Sequence, residues 1–118
     1  MYHYPCTLDR VVDGDTVDVT IDLGFSVYLR KRIRLAWLDA PETRTKDLEE
    51  KAAGQRAAAW LQRKLESGPL SVKTMIEGKY GRTLGVLYVG NVDINALMIN
   101  EGYAWPFDAE HDLSTLVG

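Results

Sequence analysis

The chain reads as three strands, a long helix, two further strands and a short helix, which predicts a small, mainly β fold of the α+β class. That order is the one of an OB-fold: a five-stranded Greek-key barrel with a helix between the third and fourth strands and a short C-terminal helix. Two patterns carry the expectation. Val17, Val19 and Ile21 alternate with Thr16, Asp18, Thr20 and Asp22, the period of a half-buried strand. Ala53, Ala57, Trp60, Leu61 and Leu65 fall at helical spacing and make one apolar face. An SH3-like barrel fits less well, because the central helix is too long.

The elements follow in order. Thr7 to Val12 is a first strand with Cys6 at its edge, and Asp13-Gly14 is a turn signal. After the alternating strand to Asp22, Leu23 to Ser26 connect to a third strand from about Val27. Its apolar positions Leu29, Ile33, Leu35 and Trp37 share one face, and Arg30, Arg32 and Arg34 share the other. Asp47 is a helix cap with Glu50 in the capping-box position, and Gly68-Pro69 ends that helix. Strands at Leu70–Glu77 and Thr83–Val89 flank the loop Gly78-Lys79-Tyr80-Gly81-Arg82. Gly90-Asn91 turns the chain, Asp93 caps a helix Ile94–Glu101, and Gly102 stops it. One domain over 1–118 is expected, its core about 7–105, with an acidic, weakly patterned tail over 107–118.

Composition narrows the class. At 118 residues and 46% hydrophobic content the chain is neither disordered nor of low complexity. No apolar run reaches transmembrane length, so no membrane role is expected. The first six residues lack the basic-then-apolar order of a signal peptide, so a cytoplasmic location is expected, with a secreted form left open should a leader lie outside this sequence. A single cysteine allows no intramolecular disulfide, and His3 and His111, near opposite ends, do not suggest zinc. The net charge of −3 gives no global basic field, so affinity for nucleic acid must come from a local patch.

Several polar residues fit none of these packing roles. Parity puts Asp15 on the apolar side of its strand, where a carboxylate is costly unless a cation or hydrogen bonds meet it. It reads either as a ligand or as a turn aspartate bonded to its own backbone. The arginine strand runs into Asp39-Ala40-Pro41-Glu42, where Pro41 keeps Ala40 extended and leaves two carboxylates on a corner. A guanidinium fork beside paired carboxylates suits a phosphate plus a hard metal ion; an exposed, salt-bridged edge strand is the simpler alternative. Arg34 and Asp39 have opposite parity, so a bulge or a bend at Ala40-Pro41 is needed to join them. Lys79-Tyr80-Gly81-Arg82 reads alone as an ordinary hairpin turn.

Together, Asp13-Gly14-Asp15-Thr16, the run Arg34-Leu35-Ala36-Trp37-Leu38-Asp39-Ala40-Pro41-Glu42 and Lys79-Tyr80-Gly81-Arg82 resemble the staphylococcal (micrococcal) nuclease family, over roughly Arg10 to Ala104. The resemblance implies a calcium-dependent endonuclease that cleaves DNA or RNA with low sequence specificity at the P–O5′ bond, leaving 3′-phosphate ends. It implies a monomer acting on nucleic acid, with single strands preferred. Asp15 and Asp39 would be calcium ligands with the Ala40 carbonyl, and Glu42 would orient or deprotonate the attacking water. Arg34 and Arg82 would hold the scissile phosphate, and Lys79 and Tyr80 the neighbouring 5′ phosphate.

The implied roles agree with the chemistry of the side chains. Calcium takes oxygen ligands in a loose shell, and planar guanidinium groups match the equatorial oxygens of a phosphoryl transition state better than ammonium groups do. The sequence departs from the staphylococcal pattern in several places. Ala40 replaces a threonine, the segment after Glu42 looks shorter, and the base-stacking tyrosine has no secure match. Trp105 or Phe107 stands nearest, with Trp105 the candidate substrate-binding aromatic. Two other readings remain: a non-catalytic nucleic-acid-binding module of the same fold, and a protein-interaction domain with an acidic surface. The first usually lacks the acidic or arginine positions, and the second leaves Arg34 and Arg82 unexplained.

Overall fold

The computed structural model describes residues 2–75 and 83–118. In chain order the elements are β1 Tyr2–Asp13, β2 Thr16–Asp22, β3 Tyr28–Leu35, β4 Leu38–Asp39, α1 Leu48–Leu65, β5 Leu70–Thr74, β6 Thr83–Val89, β7 Val92–Asp93, α2 Ile94–Asn100 and β8 Trp105–Pro106. The five long strands lie in the order β3-β2-β1-β5-β6, and β6 also pairs with β3 in parallel at Ile33 to Leu35, which closes the sheet into the predicted barrel. The expected strand Leu70–Glu77 is seen as β5 to Thr74, while residues 76–77 and the Lys79-Tyr80-Gly81-Arg82 loop lie outside the described residues. Among the described residues, no helix is long and apolar enough to cross a membrane.

The alternation of β2 is realised in full. Val17, Val19 and Ile21 are buried, while their neighbours are half-buried. They pack with Ile33 and Leu35 of β3, Val72 of β5 and Leu87 of β6 against Ala57, Leu61 and Leu65 of α1 and Ile94 and Met98 of α2. Each large aliphatic chain so buried contributes roughly 1.5–3 kcal/mol. Leu29 and Trp37, expected on the core face of β3, are instead exposed. Leu29 lies near the tip of the β2–β3 hairpin, and Trp37 lies past the strand in a turn at φ 72°. The periodicity of a strand carries no information about residues beyond its end.

β1 begins at Tyr2 rather than Thr7. Its first residues pair with β5, from Tyr2 opposite Thr74 to Pro5 opposite Ser71, before the strand passes to β2. That partner is more than sixty residues away, so no local pattern announces it. α1 starts where Asp47 accepts from the amides of Glu49 and Glu50. The amide of Asp47 itself donates to Thr45 Oγ1, so Thr45 provides the acceptor that a capping-box glutamate would have supplied. Asp93 caps α2 through the amide of Ala96. Beyond Pro106 the tail holds a 3-10 turn over Leu113–Thr115, and the amide of Val117 donates to the carbonyl of Gly102.

Candidate active site

Three short segments meet at one mouth of the barrel, and their backbones are held by contacts that leave little room for movement. The turn Asp13-Gly14 joins β1 to β2, with Asp13 Oδ1 accepting from the Gly14 amide. Gly14 is needed for space: a Cβ there would lie 2.9 Å from Ala40 Cβ and 3.0 Å from Ala57 Cβ. The turn therefore packs directly on the Asp39-Ala40 corner and on α1. Gly54 of α1 does the same from below, since a Cβ there would meet the carbonyl oxygen of Glu42 at 2.6 Å and that of Pro41 at 2.8 Å.

The third segment is the reversal between β3 and β4. The Leu35 amide donates to the Asp15 carbonyl and the Ala36 amide to the Gly85 carbonyl. Trp37 then takes a left-handed conformation, unusual for a residue with a bulky side chain. Two side chains stabilise this turn. Buried Asn95 of α2 donates to the carbonyls of Ala36 and Gly85 and accepts from the Leu87 amide. Arg34 Nη1 donates to the carbonyls of Leu35 and Leu38 at 2.8 and 3.1 Å. The chain bends here, ahead of the expected bend at Ala40-Pro41, and the bend cancels the opposite parity of Arg34 and Asp39.

As a result Arg34 Nη2 lies 2.8 Å from Asp39 Oδ1 and 3.6 Å from Asp15 Oδ2, with all three side chains about four-fifths buried. Asp15 also accepts from Thr16 Oγ1. The group opens into a cleft of about 690 Å³ whose walls include Asp13, Asp15, Arg34, Asp39, Ala40 and Glu42. Of the residues singled out in the sequence, Asp15, Arg34, Asp39, Ala40 and Glu42 thus share one site. Lys79, Tyr80 and Arg82 lie outside the described residues. Trp105, the candidate substrate-binding aromatic, is buried, with its indole N–H donating to the Asp112 carbonyl and to Thr115 Oγ1. A nearly parallel His111 ring covers it at 4.4 Å. Buried and covered in this way, Trp105 offers no face for a base, which corrects the expectation.

The cleft also holds residues that no sequence motif marked as part of a site. Arg44 and Glu50 line it from the segment leading into α1 and from its first turn, and His111 reaches in from the tail. His111 Nε2 lies 3.3 Å from Asp39 Oδ2, seventy-two positions along the chain. Arg32 of β3 also lines the cleft, but it donates to both oxygens of Asp18, which does not line it, and this bond holds the Asp18 carboxyl below its usual range. Arg30 lies 3.6 Å from Asp9. Two of the three arginines on β3 thus have acidic partners outside the cleft, and Arg34 is the one enclosed among the acids within it.

Residues 32–115 match the model of the family described as staphylococcal nuclease homologue. The chain belongs to the staphylococcal nuclease family. It is 36% identical over 107 residues to the micrococcal nuclease of Shigella flexneri, covering 83% of this chain and 55% of that protein. It is 33% identical over 107 residues to protein ParB of Escherichia coli, covering 83% and 54%. Endonuclease YhcR of Bacillus subtilis (strain 168) is 36% identical over 123 residues, covering 92% of this chain and 10% of that protein. The chain spans about half the length of the first two of these relatives.

In this family the ion implied at such a site is calcium. Among the described residues, no three His, Cys, Asp or Glu side chains lie close enough together to enclose a metal. The side-chain donors on offer are two carboxylates that meet at one guanidinium nitrogen, with Ala40 also on the cleft wall. An all-oxygen set of that size leaves room for water and substrate oxygens, which suits a hard, loosely coordinated cation and does not suit zinc.

Proposed function

We propose that this domain is a calcium-dependent nuclease that hydrolyses phosphodiester bonds of DNA or RNA with little sequence preference and leaves 3′-phosphate ends. The observation that carries this reading is Arg34, held between Asp39 and Asp15 at the floor of an acid-lined cleft. An arginine committed only to structure has no need of two carboxylates beside an open cavity. Membership of a family with nuclease-named relatives supports the same reading.

Asp15 and Asp39 would hold the calcium together with the Ala40 carbonyl, and the ion would supply positive charge against a phosphate oxygen. The remaining chemistry belongs to the chain. Glu42, on the cleft wall one residue past Pro41, takes a proton from a water as that water's oxygen bonds to phosphorus. The P–O5′ bond breaks, the 5′ oxygen takes a proton from solvent and leaves as a hydroxyl, and the phosphate stays on the 3′ side. Arg34 offsets charge on the equatorial oxygens; its two Nη atoms are bonded to protein, and among the described residues its Nε–H has no partner. By the family resemblance Arg82 grips the same phosphate, and Lys79 and Tyr80 the next one. Arg44 adds a further cation to the wall through which the strand would pass.

The test is cleavage of denatured DNA and of RNA by purified protein, with calcium and with chelator, followed by end-group analysis. Calcium-dependent cutting that leaves 3′-phosphate is expected. Binding without cutting in every divalent metal tested would establish the non-catalytic module instead, and 5′-phosphate products would contradict the proposed bond cleavage.

A further inference from the structure

We propose that His111 is a positioning residue for the Asp39 carboxylate, holding it in the orientation that the calcium site needs. The inference rests on the reading of Asp39 as a calcium ligand. Asp39 ends a two-residue strand, and Arg34 holds only its Oδ1. A carboxylate held at one oxygen keeps rotational freedom that a metal must remove on binding. His111 Nε2, 3.3 Å from Oδ2, holds the second oxygen. With one contact at each oxygen the plane of the group is set, and each oxygen retains lone-pair capacity for a cation. A neutral ring carrying its proton on Nε2 suffices, so no change of charge is involved.

His111 is suited to this because it is itself held. Its ring stacks on Trp105 with 7° between the planes. Trp105 is fixed in turn by pairing directly opposite Asp39 in the β4–β8 ladder and by its indole bonds to Asp112 and Thr115. The 3-10 turn that presents those acceptors is closed by Asp112, whose carboxylate accepts from the amide and hydroxyl of Ser114. The same short ladder therefore places both the carboxylate and the platform on which its histidine rests. Outer partners of metal ligands that fix ligand orientation typically contribute 10- to 100-fold in metal affinity or activity.

The alternative is that His111 only packs the tail against the barrel. His111→Phe separates the two, because it keeps a ring on Trp105 but has no N–H for Asp39. Thermal melts across a calcium titration give the ion's apparent midpoint without reference to activity. Wild type should rise in Tm with calcium. His111→Phe and His111→Ala should need about 10-fold more calcium for the same rise. His111→Gln, which keeps an N–H donor, should recover part of the loss. In turnover assays the Phe variant should lose kcat with little change in KM. A His111→Phe midpoint equal to wild type overturns the positioning role and leaves the proposed function standing. A wild type that does not respond to calcium removes the calcium reading, and this inference with it.

Discussion

Arg34 and Asp39 are five residues apart in sequence and 2.8 Å apart in space, because the guanidinium that binds the carboxylate also ties the turn that delivers it. Nη1 bridges the carbonyls of Leu35 and Leu38, and Nη2 meets Asp39. A lysine has one ammonium and cannot span both sets of acceptors. Arg34→Lys should therefore lose about 10²-fold or more in turnover and also about 1–3 kcal/mol of stability. Arg30→Ala, on the same strand but paired with Asp9 outside the cleft, should change neither much. Denaturant melts run beside turnover assays check both. If Arg34→Lys melts like wild type, the arginine does not staple the turn.

Asp15 bears on the metal more than on the fold. Its Oδ2 lies 3.6 Å from Arg34, so a cation already offsets its repulsion with Asp39. Asp15→Asn should accordingly be neutral or slightly destabilising in chelator, and should lose most of the calcium-induced rise in Tm. Asp18→Asn, on the outer face of β2, should keep that rise. An unchanged rise in Asp15→Asn would show that this aspartate serves the turn and not the ion.

Gly54 reverses the usual sign of a helix substitution. Alanine for glycine inside a helix normally stabilises by roughly 0.8–1 kcal/mol. Here the added Cβ would lie 2.6 Å from the Glu42 carbonyl oxygen, and backbone is not easily displaced. Gly54→Ala should destabilise, and it should also lower turnover by shifting Glu42. A stabilised, fully active Gly54→Ala protein would mean that α1 can move away from the corner at little cost.

The Asp18–Arg32 pair gives a pH prediction. The Arg32 hydrogen bond holds the Asp18 carboxyl below its ordinary value in the folded protein. A depressed folded pKa contributes stability above the unfolded value, and that contribution is lost as pH falls through the folded one. The Arg32 end of the pair is exposed and screened, so its worth is small. Asp18→Asn should be slightly less stable than wild type at pH 7, with the difference closing at an acid pH below the ordinary carboxylate value. Urea midpoints at both pH values measure it, and a gap that persists in acid would assign the effect to something other than this ionisation.

Much of the barrel was legible from local pattern. The alternation in β2, the caps at Asp47 and Asp93 and the stop at Gly102 each depend on residues within one turn or one strand of each other. Two of the motif segments likewise pointed to Asp15, Arg34, Asp39 and Glu42, because charge that a packed strand cannot use is visible without a structure. What tied those residues together was not visible. The bend came at Trp37, whose left-handed backbone is held by Asn95 from α2 and by Arg34 itself. Gly14 proved to be a contact with Ala40 and Ala57, where its sequence neighbours suggested only a turn. His111 reached Asp39 across seventy-two positions through a two-residue ladder and a stacked indole. Sequence by itself determined which faces are apolar, where elements begin and end, and which side chains have no packing role, since these depend on neighbours a few residues away. Tertiary structure alone decided which of those side chains meet, because barrel closure and the reversal at Trp37 depend on hydrogen bonds and packing between segments far apart in the chain.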